Sequence, residues 1–200
     1  QRTYEDNIFL EGRSLVNPEG DKYIGEFGAQ SGTLFSSAKE RGDNFFVKVS
    51  YSSELDFSDT LCINPSLYDV SDAGCKSEGR KSYSGQGAPL VVDKLDEIIS
   101  PGVNPSIEVR LKLKNKGDGE VGSVTLKNSK LGGVEMVCRF ENSGIEINKF
   151  KFDKDNEEAI LICLLPIEST QSYTTTFVAS FDYDYSIKEK KQIVIKSGFD

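Results

Sequence analysis

Histidine and tryptophan are absent from the 200-residue chain, and methionine occurs once, as Met136. Histidine is the residue most often used as a general base near neutral pH, and it is the commonest metal ligand. Its absence therefore removes the usual routes to acid–base catalysis and to mixed Cys/His zinc sites. The four cysteines include no Cys-x2-Cys spacing, which removes the all-cysteine zinc pattern too. No basic block interrupts a formal net charge of -8, a field that repels nucleic acid. The longest apolar run, Ala159-Ile160-Leu161-Ile162-Cys163-Leu164-Leu165, falls far short of the ~18 residues of a membrane helix. Both Asn-x-Ser triplets with the spacing of a glycosylation acceptor, Asn64-Pro65-Ser66 and Asn104-Pro105-Ser106, carry the proline that blocks it. With Met136 the only methionine, Gln1 is expected to follow removal of a signal or leader segment, which places the protein outside the cell or on its surface.

What is present points to β-structure. Ile107, Val109, Leu111 and Leu113 alternate with polar residues at the two-residue period of a half-buried strand. The same alternation runs through Phe45, Val47, Val49 and Tyr51, through Val134, Met136, Cys138 and Phe140, and through Phe177, Ala179, Phe181, Tyr183 and Tyr185. Turn signals such as Lys116-Gly117-Asp118-Gly119 and Leu131-Gly132-Gly133 separate these rows at short intervals. Only Asp93 to Ile99 has weak helical spacing, and the apolar Pro89-Leu90-Val91-Val92 before it suits an entering strand better. The expected fold class is all-β with little helix, as two immunoglobulin-like β-sandwich domains in tandem. The polar, small-residue stretch Lys81 to Pro89 sets the expected boundary, giving an N-terminal β domain over 1–84 and a C-terminal immunoglobulin-like sandwich over 85–200.

Spacing pairs the cysteines naturally as Cys62 with Cys75 and Cys138 with Cys163, although four cysteines allow three connectivities. Two such bridges imply an oxidising, extracytoplasmic setting. The alternative is four buried free thiols in a cytosolic protein.

The stretch Pro105-Ser106-Ile107-Glu108-Val109-Arg110-Leu111-Lys112-Leu113-Lys114-Asn115-Lys116-Gly117-Asp118-Gly119 resembles the opening of CARDB-like immunoglobulin-like domains of archaeal and bacterial surface proteins. There an alternating strand runs into an Asn-x-Gly-x-Gly turn. The order Cys62-Ile63-Asn64-Pro65, Cys75, then Gly85-Gln86-Gly87-Ala88-Pro89 is similar to that of uncharacterised two-domain archaeal surface proteins. The resemblance implies fold and location. It brings no catalytic residue, and the chain departs from the antibody pattern in lacking Trp and in the short Cys138 to Cys163 spacing.

No enzyme is expected. The serines lie in turn-like clusters, no Gly-x-Ser-x-Gly occurs, and nothing places two carboxyls in an apolar cleft. No cofactor is expected either, with one weak candidate for Ca2+. Asp153, Asp155 and Glu157 offer hard oxygen ligands at alternate positions, but the loop lacks the glycine and distal glutamate of an EF-hand, and a solvated turn is the leading reading.

Ile8, Phe9 and Leu10 form a short apolar segment near the N-terminus. One use for such a segment is strand donation, completing the open sheet edge of the next subunit; the other is pairing within its own domain. The expected function is a non-enzymatic extracellular subunit of a surface filament or surface layer, with itself as head-to-tail partner. The alternative is a monomeric adhesin or carbohydrate-binding module whose partner is another surface protein or a glycan.

Overall fold

A computed structural model of the chain describes residues 6–12, 16–26, 28, 30, 32, 34, 38–65, 74–143, 146–153 and 157–196. Among these there are ten strands and no helix: β1 Glu40–Ile63, β2 Arg80–Ser82, β3 Leu90–Ser100, β4 Ser106–Asn115, β5 Glu120–Leu131, β6 Val134–Glu135, β7 Val137–Phe140, β8 Lys149–Lys151, β9 Glu158–Pro166 and β10 Tyr173–Lys196. No helix among the described residues is therefore long and apolar enough to cross a membrane.

The chain divides into two compact units, Gln1–Phe45 with Lys190–Asp200, and Phe46–Glu189. In the larger unit one sheet has the order β1-β10-β5-β6, with β8 also on β5, and the other has the order β2-β3-β4-β9-β7. The described strand pairings are antiparallel, as in the ten-residue pairing of Leu90–Ser100 with Asn115–Ser106. One hydrophobic cluster draws on both sheets. Ile107, Val109, Leu111 and Leu113 of β4 are fully buried in it, as are Phe177, Ala179, Phe181, Tyr183 and Tyr185 of β10 to within a few per cent. Their alternation with polar residues is the reason each strand has one dry face. Burying each of these larger side chains contributes about 1.5–3 kcal/mol.

The expected boundary near residue 84 does not separate two cores. Leu55, Phe57, Leu61 and Ile63 of β1 belong to the same cluster as the residues after it, and β2 pairs with β3 across the polar stretch. The physical reason is that the buried row of β1 finds its apolar cover in the later strands. Its C-terminal apolar row lies beside β10 and closes the sandwich-like core of the later strands.

Two other expectations change. The row Val134, Met136, Cys138, Phe140 is not one strand, because the chain leaves one sheet and enters the other at Met136, whose N–H bonds Ser129 O at 3.0 Å. Asp93–Ile99 is strand throughout, and its helical spacing is a by-product of the register shift between Val92 and Lys94.

The smaller unit has little regular structure outside the ends of β1 and β10. A turn forms at Asn17–Gly20, where Gly20 takes a φ of 68° and its N–H bonds Asn17 O at 3.2 Å. The Asp21 carboxylate accepts the Glu11 N–H at 2.9 Å and the Asn17 side-chain amide at 3.2 Å.

Candidate functional site: an open sheet edge beside a groove

Five of the described strands lie at the edges of the two sheets, and four of them are short. β2 and β8 have three residues each, β6 two and β7 four. The neighbour of β2 is further protected by Gln86, whose side-chain amide donates to Val92 O at 2.7 Å and accepts from Val92 N at 3.0 Å. β1 differs in being 24 residues long, and among the described residues no strand pairs with its outer edge. Long unpaired edges with apolar residues are the sites where another strand adds.

The two sheets are held together along this side at the C-terminal end of β1. Cys62 of β1 is bonded to Cys75, with a Cα separation of 5.8 Å, just before β2. Next to that bridge, the Lys81 ammonium donates to Thr60 O at 2.7 Å and lies 3.0 Å from Asp59 Oδ2, while the Tyr83 hydroxyl donates to the same carboxylate. Partial burial pulls the Asp59 carboxyl upward, but hydrogen bonds from Tyr83, Lys81 and the Thr60 N–H outweigh it and hold it below its ordinary value. Tyr83 is pushed well above its own ordinary value, first by burial and then by bonding to that anion.

Behind the clasp, Glu97 sits on the core-facing row of β3 between Leu95 and Ile99, only 7% exposed. Its Oε1 has no hydrogen-bond partner among the described residues. Burial raises its carboxyl above the ordinary value, and the hydrogen bond to Ser77 only partly opposes this.

Toward Lys48 no described strand pairs with the outer edge of β1. A groove of about 960 Å³ is lined there by Lys48, Tyr51, Val121, Phe152, Glu157 and Tyr185, among others. One wall is the turn expected from Asn115-x-Gly117-x-Gly119. Asn115 bonds both ends of that turn, accepting from Gly117 N at 3.0 Å and donating to Gly119 O at 2.7 Å. Tyr185 packs under it, with its ring 5.6 Å from that of Tyr51. Desolvation, followed by the neighbouring Tyr183 and Tyr185, raises the Tyr51 hydroxyl above its ordinary value. Beside the groove Val49 and Tyr51 are 52% and 43% exposed, so the row that begins at Phe45 is not the half-buried face its alternation suggests. It becomes core only from Leu55 onward.

The residues singled out from sequence fall in different places. Ile8, Phe9 and Leu10 are exposed and outside any helix or strand, Phe9 to 90%. Asp153 and Glu157 both line the groove, and Asp155 lies outside the described residues. Among the described residues no group of three His, Cys, Asp or Glu side chains is placed to hold a metal ion. Cys138 and Cys163 are bonded directly across the β7–β9 pair within one sheet, Cα to Cα 4.0 Å. The clasp and Glu97 escaped the sequence reading. The signal for Glu97 was a lone acid on the apolar row Leu95-x-Glu97-x-Ile99.

Comparison with protein-family models, with curated proteins and with solved structures finds no match to this chain.

Proposed function

We propose that the protein is a non-enzymatic extracellular building block, a subunit of a surface filament or surface layer that joins copies of itself by strand donation from its N-terminal segment. The reading takes the Phe46–Glu189 unit as an immunoglobulin-like sandwich. The observation that carries it is the pairing of supply and demand in one chain: a long open edge at β1, and three consecutive exposed apolar residues, Ile8, Phe9 and Leu10, in no strand of their own. A donor and an acceptor at different places on one chain make a heterologous contact, which repeats into a fibre unless it closes into a ring. The two disulfides suit an oxidising location.

Deleting residues 1–12 is the direct test. Wild-type protein is expected to form polymers visible by electron microscopy and the deletion to remain monomeric in sedimentation. Polymers of unchanged length from the deleted protein would exclude donation from this segment.

A second reading, a glycan-binding surface module, draws on the same groove, which the half-exposed Tyr51 ring lines together with the acids Asp153 and Glu157. A glycan array answered by wild type and lost in Tyr51→Ala would favour it over assembly.

A further inference from the structure

We infer that the acceptor for the donated segment is the Lys48–Tyr51 stretch of β1 in a second copy, paired antiparallel with Glu11 opposite Lys48, Leu10 opposite Val49 and Ile8 opposite Tyr51. This deepens the assembly reading above and rests on it.

Three observations select the register. Residues directly opposite in an antiparallel pair project to the same face. On β1 the odd-numbered residues take the core side, as shown by buried Leu55 and Phe57 and by Tyr51 against Tyr185. The register therefore brings Ile8 and Leu10 onto the core side, where they cover the exposed parts of Val49 and Tyr51 at the groove mouth. A slip of one residue would turn Phe9 inward but carry Asn7 and Glu11 in with it, and an inward carboxylate would lose part of its hydration.

Charge selects the direction. Glu11 is exposed, its backbone N–H and C=O both bond Asp21 while its carboxylate has no ion pair among the described residues, and Lys48 is exposed and likewise has none. Antiparallel pairing puts these two opposite each other on the outer face. The parallel alternative, with the same apolar pairs covered, puts Glu11 opposite Ser52, whose hydroxyl bonds Asp184 at 2.9 Å, so that two carboxylates meet.

The choice of edge follows from what is already occupied. β2, β6 and β8 are shorter than the four donor residues Ile8 to Glu11, the Phe140 N–H of β7 is taken by Ile147 O at 2.9 Å, and the backbone of Val92 beside β2 is taken by Gln86. Toward its C-terminal end β1 is closed by the Asp59–Lys81–Tyr83 clasp and the Cys62–Cys75 bridge, so the open length lies on the Lys48 side.

The test uses full-length protein, which has no free cysteine of its own. Leu10→Cys protein is mixed with Val49→Cys protein under mild oxidation, beside a control mixture of Leu10→Cys with Ser50→Cys. All three positions are exposed or at the chain end, so folding is not at risk. Wild-type assembly is measured in parallel by sedimentation. Assembly with a 10-to-49 disulfide at least tenfold more abundant than the 10-to-50 product supports the register. Assembly with equal amounts, with the 10-to-50 product dominant or with neither product overturns the register and leaves the assembly reading standing. Wild-type protein that stays monomeric overturns both. Charge reversal supplies a second readout. Lys48→Glu and Glu11→Lys are each expected to raise the critical concentration for assembly about fivefold, and the double variant to restore it. Singles without effect, or a double variant worse than either, overturn the antiparallel direction.

Discussion

The hydroxyl of Tyr185 accepts a hydrogen bond from the backbone N–H of Gly119 at 2.6 Å, fixing the β4–β5 turn to β10 across the mouth of the groove. A turn that looks purely local in sequence is thus held by a residue 66 positions away. Tyr185→Phe leaves the ring in place and removes only the acceptor. It is expected to cost about 1–2 kcal/mol, which for a domain of this size lowers Tm by ~2–8 °C. Thermal unfolding followed by circular dichroism measures this, and an unchanged Tm would mean water replaces the hydroxyl at no cost.

Gly119 is required for lack of space. A Cβ there would lie 2.3 Å from Ser186 O, and at Gly117 it would lie 2.2 Å from the Tyr185 hydroxyl oxygen. The Ser186 carbonyl belongs to a paired strand and has little room to retreat. Gly119→Ala is therefore expected to destabilise by about 2–3 kcal/mol, whereas alanine at Gly133, which meets nothing within 4 Å, suffers only from its φ of 85°. Urea unfolding of the two variants side by side separates crowding from backbone strain.

Glu97 and Asp59 load stability with opposite pH dependence. The Glu97 carboxyl is raised in the fold by burial, so its contribution is fully present below the ordinary glutamate pKa and is lost as pH rises through the folded value. The Asp59 carboxyl is lowered, burial being outweighed by its hydrogen bonds, so its contribution is present above the ordinary aspartate pKa and is lost as pH falls through the folded value. Glu97→Gln, which keeps a neutral side chain of the same shape, is expected to raise Tm at pH 7 and leave it nearly unchanged at pH 3.5. Asp59→Asn is expected to lower Tm at pH 7 and converge on wild type in acid. Scanning calorimetry between pH 3 and 8 checks both slopes.

The two disulfides close loops of 13 and 25 residues. Loop-closure entropy assigns each about 3 kcal/mol. Replacing Cys138 and Cys163 together by Ala is expected to lower stability by about that amount while leaving β7 in place, because Phe140 stays anchored in the core. Replacing Cys62 and Cys75 is expected to loosen the side of the core that the Asp59–Lys81–Tyr83 clasp also holds. The check is faster amide exchange around Thr60 and Lys81 in that variant alone.

Period-two alternation was enough to read β4 and β10, since each of their apolar rows is buried along the stretch the sequence marks. It misled at β1 because the pattern says which face is apolar and is silent on whether anything covers it: Val49 and Leu55 look alike in sequence, and one is half-exposed while the other is core. It misled at Val134–Phe140 because a strand that changes sheets keeps its alternation while changing its neighbours. The domain boundary was missed for a related reason. A polar linker-like stretch is equally compatible with joining two domains and with forming the short edge strand of one.

By itself the sequence determined an all-β chain, the absence of histidine chemistry and the Asn115-x-Gly117-x-Gly119 turn, because each depends on residue type and local spacing; among three cysteine connectivities it favoured one, which the structure decided. Only the tertiary structure decided which strand ends a sheet. It placed Cys62, Asp59 and Lys81 together on one side of the core, buried Glu97, and left the Lys48–Tyr51 edge without a partner strand among the described residues. Those facts depend on which residues far apart in the chain become neighbours, and a strand's backbone donors and acceptors are spent or free according to that choice alone.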